Sequence, residues 1–371
     1  MFVMTTKTIK PRLSAALFAS ILLAGCSTVP QPRVTKPLPP VSKPVALPKP
    51  VAQPPVVAQP QIATAPEALD TRITDLWRTF PGRTGVAVLA IDGNWSLSKR
   101  GEEFFPQQSV SKLWVAMAVL DQVDRGKLKL DQIVRITRDD LTLFYQPIRG
   151  RVLANGEVNE TIESLLEQSV TSSDCTANDS LLRTIGGPEA VREFIARKGL
   201  GKIRFGPGER KLQSGIAGIE WQQDYAIGRN FEAARAKLPY DQRKASLDRY
   251  LADPVDGASP LAIVKALGEL SKGSLLSSAS TRMLMAMLER TSSGPNRLKA
   301  GVPADWRFGH KTGTGQQLAA VYTGYNDIGI MTAPDGKRYA VAVMMGDTTA
   351  SVPDRMVMMQ GVSQAVADAH R

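Results

Sequence analysis

The sequence predicts an α+β fold, an α/β sandwich in which an antiparallel five-stranded sheet from both chain ends carries helices on its faces, together with an all-helical subdomain. Two observations predict it. Strand-like segments occur at the beginning and at the end of the globular region, and the segments between them repeat apolar residues at helical spacing. Strands far apart in sequence can share one sheet when the helices between them fold as an inserted region.

Apolar spacing and turn residues mark the elements in chain order. The turn Asp92-Gly93-Asn94 separates the first two strands. Strands are predicted at 84–91, 95–99, 306–312, 319–331 and 338–346, and helices at 66–80, 109–119, 161–170, 176–184, 188–198, 231–238, 241–251, 261–270, 277–288 and 354–368.

Residues 1–25 have the pattern of an export signal peptide. Basic residues precede an apolar run that is shorter than the ~20 residues of a membrane-spanning helix. The run ends in Leu23-Ala24-Gly25-Cys26, which resembles a bacterial lipobox. The resemblance implies that Cys26 becomes the lipidated first residue of the mature protein, and the serine after it goes with sorting to the outer membrane. We therefore expect a lipid-anchored protein of the periplasm.

A proline-rich segment follows the signal. Residues 30–66 hold 12 of the 25 prolines, which is typical of a semi-rigid spacer. The predicted organisation is a tether over 26–66 and one catalytic domain over 67–371. A disordered remnant without a spatial role is the alternative for the tether.

The charge belongs mainly to the N-terminal segment. The formal net charge is +11, but residues 1–66 contain seven Lys or Arg and no acid, which leaves 39 basic and 35 acidic residues in the body of the protein. This balance gives no support to nucleic-acid binding. Lipidation of Cys26 would leave Cys175 as the single thiol, so no internal disulfide is expected. We expect a monomer.

Histidine is too scarce for the usual serine triad or for a metal site, because only His310 and His370 are present. No cofactor is expected. A serine nucleophile then needs another base, and Lys112 lies one helical turn after Ser109. Burial and a second cation, Lys311, would both lower the pKa of that lysine and make it a base.

A second Ser-x-x-Lys match, Ser96 to Lys99, falls in a predicted strand, where the two side chains point to opposite faces. We therefore assign the nucleophile to Ser109, which opens a helix whose amide dipoles favour a developing oxyanion. Lys311-Thr312-Gly313 ends a predicted strand. The backbone amides of Ser109 and Thr314 are the candidate oxyanion hole.

Three segments in this order, Ser109-Val110-Ser111-Lys112, Ser173-Asp174-Cys175 and Lys311-Thr312-Gly313, resemble the class A serine β-lactamases and the related penicillin-binding proteins. The resemblance runs from about residue 69 to the C-terminal helix. It implies a β-lactamase/transpeptidase-like fold and opening of β-lactam rings through an acyl-enzyme on Ser109.

The resemblance also implies roles for other residues. Ser173 and Lys311 would assist ring opening, and Glu209, about 36 residues after Ser173, would activate the water that hydrolyses the acyl-enzyme. Lys112 or a Glu209-bound water would be the base for acylation. Gln213 and Arg210 depart from the family pattern around Glu209, and Glu220 is the alternative.

The resemblance also implies which residues bind the substrate. Tyr145 would form a cleft wall, and Thr312, Gly313 and Thr314 would face the substrate. Val321 occupies the position where many class A enzymes supply an arginine for the substrate carboxylate, and Arg297, fourteen residues before Lys311, matches the place that other members use.

Cys175 stands where the family has an asparagine that binds the acylamino group of the substrate. A thiol is only weakly polar, so we expect altered substrate preference with the chemistry retained. A thiol nucleophile at Cys175 is a poor alternative, since no histidine partner is evident.

Two other functions stay open at this point. One is a D,D-peptidase or another amide or ester hydrolase that acts on a peptidoglycan-like substrate. The other is a non-catalytic lipoprotein that binds the cell wall. Residues 214–258 form a helical insertion, about 34 residues beyond the class A pattern, and it would reshape the substrate site or only decorate the helical region.

Overall fold

The computed structural model describes residues 64–93 and 95–370. The predicted signal peptide, the lipidation site at Cys26 and the predicted tether up to residue 63 lie outside the described residues. None of the helices within the described ranges is long and apolar enough to cross a membrane.

Helices and strands follow one another from residue 67 to residue 368. The helices are α1 (Glu67–Thr79), α2 (Lys112–Asp124), α3 (Ile148–Asn155), α4 (Ile162–Glu167), α5 (Cys175–Thr184), α6 (Pro188–Arg197), α7 (Glu209–Ala217), α8 (Asn230–Lys237), α9 (Tyr240–Ala252), α10 (Pro260–Ser271), α11 (Ser278–Glu289) and α12 (Val352–Asp368). The strands are β1 (Thr84–Ala90), β2 (Ser96–Lys99), β3 (Phe105–Pro106), β4 (Ile133–Thr137), β5 (Glu157–Thr161), β6 (Gly257–Ala258), β7 (Arg307–Gly313), β8 (Gln317–Leu318), β9 (Val321–Thr332) and β10 (Arg338–Thr348).

The main sheet joins both ends of the chain, and the predicted antiparallel architecture is confirmed. Its strand order is β2-β1-β10-β9-β7, and the two-residue strand β8 adds to β9. In the register, Val86 lies opposite Val343 and Lys311 lies opposite Ile328. The last motif of the sequence therefore lies on an edge strand, β7, where it can face a cleft.

The sheet is buried on both faces because its side chains alternate between two cores. Val86 and Val88 point to the core that α1 and α12 cover, whereas Ala87 points to the core that α10 covers. Helix α2 runs through the second core, and every residue from its beginning to Asp121 is buried. A helix that is apolar all round belongs in an interior, so the one cation on it, Lys112, is buried with it.

Two helix boundaries differ from the prediction at the site itself. Helix α2 begins at Lys112, because Gln108–Ser111 form a 3₁₀ turn and Gln108 has a left-handed φ of 54°, which an α-helix does not accommodate. After α4 the chain continues in a wider π-type turn over Gln168–Ser172, and Ser173 ends it with a φ of 63°.

Strands β4 and β5, with helix α3 between them, and helix α7 were not predicted. Val134 and Ile136 alternate with exposed neighbours in β4, a strand pattern that the sequence did contain. Helix α7 begins with three charged residues, which obscure in the sequence the apolar pattern of its buried face. The helices of the insertion, α8 and α9, agree with the prediction within one residue at each end.

Candidate active site

The nucleophile and its lysine come together as their spacing predicts. Lys112 Nζ donates a hydrogen bond to Ser109 Oγ at 2.6 Å, and the lysine side chain is 1% exposed. The pair stands at the beginning of α2, where unpaired backbone amides favour negative charge. By contrast, Lys99 of the second Ser-x-x-Lys match binds Asp70 at 2.7 Å. Lys99 lies on β2, at the opposite edge of the sheet from β7.

The left-handed residue before the nucleophile is held by buried side chains. Gln108 donates its backbone amide to Asp256 Oδ2 at 2.8 Å and its side-chain Nε2 to the hydroxyl of Tyr250 at 2.6 Å. Tyr250 in turn donates to Asp256 Oδ1 at 2.9 Å, and Gln213 Nε2 donates to Gln108 Oε1 at 2.8 Å. A hydrogen-bond network of this kind holds a strained backbone in place only when each of its polar groups has a hydrogen-bond partner. The insertion therefore supports the nucleophile through Tyr250 and Asp256, which both lie within it.

Burial raises the pKa of Asp256 to about 6, although its hydrogen bonds with Gln108 and Tyr250 act in the opposite direction. The carboxyl accordingly keeps its proton over more of the acidic range than an exposed aspartate does.

The middle motif places a serine against a lysine from the sheet. Asp174 caps α5 by accepting from the amide of Ala177 at 2.9 Å, and its second oxygen accepts from the amide of Ile148 at 2.9 Å. This double anchor holds the left-handed Ser173, whose Oγ accepts a hydrogen bond from Lys311 Nζ at 2.9 Å. One hydrogen bond thus joins the two motifs, 138 residues apart.

Glycine is required at position 313 by close packing. A Cβ there would lie 2.3 Å from the carbonyl oxygen of Gln107, far inside van der Waals contact. The end of β7 can therefore lie directly against the turn that carries Ser109. Thr312 Oγ1 shares a hydrogen bond of 2.7 Å with Ser293.

Glu209 lies at the start of α7, within reach of the nucleophile's lysine. Its Oε2 is 3.7 Å from Lys112 Nζ, and its amide donates to Asp179 Oδ1 at 3.2 Å. Burial and the charge of Glu209 raise the pKa of Asp179 to about 6. The alternative, Glu220, is exposed and does not line the cleft described below.

The two lysines have opposite pKa shifts. Burial would lower the pKa of Lys112, but the negative charges available at Cys175 and Glu209 outweigh burial and raise it above its usual range. Burial also raises the pKa of the Cys175 thiol. Burial and the charge of Lys112 lower the pKa of Lys311 well below its usual range.

The sequence predicted the reverse, with Lys311 depressing the pKa of Lys112, and that prediction was wrong. The physical reason is that the negative charges available at Cys175 and Glu209, both distant in the chain, outweigh the burial of Lys112 and raise its pKa.

Cys175 is a buried member of the site, 4% exposed. Its Sγ accepts a hydrogen bond from Lys112 Nζ at 3.4 Å, and its amide donates to the carbonyl oxygen of Tyr145 at 3.0 Å. The thiol thus takes part in holding Lys112, as a weak acceptor. Its raised pKa disfavours the thiolate, which a thiol nucleophile would need.

A cleft of about 640 Å³ runs past these groups. Lys112, Lys311 and Gly313 lie behind its surface, and the predicted residues that line it are Ser109, Tyr145, Ser173, Cys175, Glu209, Arg297, Thr312 and Thr314. In the described part of the chain, no cluster of three or more His, Cys, Asp or Glu is placed to hold a metal ion.

Arg297 stands on the cleft wall in a fixed orientation. Its Nη1 donates to the carbonyl oxygens of Gly313 and Asn326 at 3.0 and 2.7 Å, and its Nη2 donates to Thr314 Oγ1 at 2.6 Å. The guanidinium also lies 3.8 Å from the ring centre of Tyr325. These contacts hold a positive charge beside Thr312 and Thr314, the position that the sequence assigned to a substrate carboxylate.

Sequence reasoning missed several residues of the site. Phe144, which has a left-handed φ of 59°, and Arg235 of the insertion line the cleft, and Gln316 links the sheet to Gln213 at 3.0 Å. No motif marked these residues, because each reaches the cleft through long-range packing.

Comparisons with known proteins agree with this geometry. The model of the beta-lactamase enzyme family matches residues 68–370. The chain is 30% identical to the extended-spectrum β-lactamase PER-1 of Pseudomonas aeruginosa over 76% of this chain and 80% of that protein. It is 27% identical to the β-lactamase VEB-1 of the same organism over 78% of this chain and 86% of that protein.

Solved structures give the same result. A β-lactamase from Chitinophaga pinensis superimposes with a TM-score of 0.66 at 28% identity and covers 82% of this chain and 99% of its own. The ancestral class A β-lactamase GNCA superimposes with a TM-score of 0.64 at 29% identity and covers 81% of this chain and 99% of its own. With the family model spanning the whole catalytic region and the three motifs meeting in one cleft, the chain belongs to the β-lactamase enzyme family, among its class A serine members.

Proposed function

We propose that the chain hydrolyses β-lactams through an acyl-enzyme on Ser109, with Glu209 as the base for deacylation. The observation that carries the proposal is the hydrogen bond of 2.6 Å between Ser109 Oγ and a buried Lys112, whose ammonium is 3.7 Å from Glu209. This arrangement gives one nucleophile, one cation that orients it and one carboxylate in the same cleft.

In acylation, Ser109 Oγ attacks the β-lactam carbonyl carbon. The raised pKa of Lys112 makes it a poor proton acceptor, so the serine proton passes through a water to Glu209, while Lys112 holds Oγ in place. The amides of Ser109 and Thr314 stabilise the oxyanion. The ring C–N bond then breaks, and the nitrogen takes a proton from Ser173, which Lys311 replenishes.

The lowered pKa of Lys311 suits that role, because its ammonium gives up a proton more readily than an ordinary lysine does. Before deacylation, Glu209 gives up the serine proton to solvent and the Lys311–Ser173 pair regains one, so that the net proton transfer is from Ser109 to the ring nitrogen. In deacylation, Glu209 takes a proton from water, the hydroxide oxygen attacks the ester carbonyl, and the proton returns to Ser109. Arg297, Thr312 and Thr314 bind the substrate carboxylate. Gly313 allows the end of β7 to pack against the turn that carries Ser109, and Tyr145 and Cys175 border the acyl side chain.

Time-resolved mass spectrometry of the purified domain with a penicillin and a cephalosporin tests this function. Wild type should give hydrolysed product, and Ser109→Ala should give neither product nor adduct, with turnover reduced on the order of 10⁶-fold. Ser111→Ala, the neighbouring serine in the same turn, is the matched control and should keep acylation. A persistent adduct on wild type would indicate a penicillin-binding protein instead, and the absence of any adduct or product would refute both.

We further propose that the protein is exported and anchored in the outer membrane by lipid at Cys26, with residues 26–66 as a tether to the catalytic domain at 67–371. The sequence of the first 26 residues supports this. Cys26→Ala should move the full-length protein from the membrane fraction to the soluble periplasmic fraction on immunoblots. Wild-type protein in the soluble fraction would contradict the anchor.

A further inference from the structure

One cation of the cleft comes from the inserted segment. Arg235 lies on α8, and its guanidinium reaches the cleft wall. There its Nη1 donates to Gln316 Oε1 at 2.8 Å, three residues past Gly313. The insertion thus supplies a positive charge to the rim that the Lys311-Thr312-Gly313 strand forms.

This charge has a like-charged neighbour and, among the described residues, no ion-pair partner; the charge of Glu232 acts on Arg235 less strongly than burial and Arg243, which together lower the pKa of Arg235. Arg243 of α9 and Arg235 line the same recess of about 360 Å³. Among residues 64–93 and 95–370, no carboxylate oxygen lies within 4.0 Å of either guanidinium. Glu232, the acid on α8, is exposed, and Arg243 Nε is buried without a hydrogen-bond partner in the described chain. Unbalanced arginines of this kind favour an anion.

The recess continues from the cleft. Arg235 and Gln317 line both of them, and the hydroxyl-bearing Tyr240 borders the recess. Arg297, beside Thr312 and Thr314, already serves the carboxylate of the ring. A second anion at Arg235 therefore has to come from another part of the substrate, and the acyl side chain is the part that extends away from the ring.

We infer that the insertion gives this enzyme a preference for β-lactams whose acyl side chain ends in a carboxylate, with Arg235 binding that carboxylate and Arg243 adding positive charge. The inference rests on the proposed β-lactam hydrolysis. A guanidinium with free N–H groups matches a carboxylate in shape as well as in charge.

Two penicillins that differ only at the end of the side chain test it. The N-hexanoyl and N-adipoyl derivatives of the penicillin nucleus have chains of equal carbon number that end in a methyl and a carboxylate. Wild type should show a kcat/KM on the order of tenfold higher for adipoyl than for hexanoyl, the factor that corresponds to about 1.4 kcal/mol. Raising the salt concentration should reduce this ratio, because salt screens exposed charges.

Arg235→Ala should bring the ratio of the two kcat/KM values down to about one, and Arg235→Lys, which keeps the charge without the planar fork, should restore part of it. Lys237→Ala, which removes an exposed charge from the same helix, is the control and should leave the ratio unchanged. Thermal melts would verify that each variant is folded.

A wild-type ratio near one, or an unchanged ratio in folded Arg235→Ala and Arg235→Lys, would overturn the inference and leave the proposed function intact. Failure of the wild type to hydrolyse either penicillin would overturn both.

Discussion

Glu209→Gln is expected to leave Ser109 acylated after a single turnover on a penicillin. The amide cannot accept a proton from water, and general-base catalysis of this kind contributes about 10²–10⁴-fold to a rate. Acylation should be slowed as well, because Glu209 also accepts the serine proton, but the ester that forms should persist. Intact-mass spectrometry should show the protein shifted by the mass of the penicillin for minutes to hours.

Glu220→Gln is the matched control, because it makes the same change at the exposed glutamate that spacing left as the alternative. It should turn over penicillin as wild type does. A trapped adduct on Glu220→Gln, or unchanged turnover by Glu209→Gln, would show that the water is activated elsewhere.

Lys112→Met is expected to slow formation of the acyl-enzyme by at least about 10³-fold, since a positioned catalytic group is lost. Methionine has nearly the same length but donates no hydrogen bond to Ser109 Oγ. It also leaves Glu209 without the cation that now lies 3.7 Å from it. Rapid-mixing experiments on the single-turnover burst should show the loss as a slower rise of adduct, in contrast to the slow decay in Glu209→Gln.

The same change should lower the free energy of unfolding by about 3–5 kcal/mol, because breaking a buried ion pair leaves an uncompensated charge. Lys99→Met, in the duplicate Ser-x-x-Lys segment, removes a partly exposed pair with Asp70 and should cost less than about 1 kcal/mol. Acylation of Lys112→Met at the wild-type rate would remove Lys112 from the mechanism.

Local spacing was enough to predict the parts of the site that lie within one element. Ser109 and Lys112 face each other because they are one turn apart, and strand β7 (Arg307–Gly313) forms where a strand over 306–312 was predicted. The strand context that was used against Ser96 is also confirmed, since β2 contains this residue.

Long-range packing decided the rest, and nothing local signals it. The left-handed Gln108 depends on Asp256 and Tyr250, which are 148 and 142 residues away. The direction of the pKa shift of Lys112 depends on the charges at Cys175 and Glu209, which outweigh its burial. A sequence shows that these residues exist, but only their positions decide the direction.

The hydrogen bonds of Tyr250 to Gln108 and Asp256 bear on how such a chain can change over time. Lengthening a loop usually costs little chain entropy, so inserted segments are commonly gained and lost freely. Here loss of residues 214–258 would remove both Tyr250 and Asp256 and leave the backbone amide and the side-chain Nε2 of Gln108 without their partners, next to the nucleophile. The insertion and residue 108 are therefore epistatic. A lineage that deletes the insertion must first replace Gln108, so the order of those mutations is constrained.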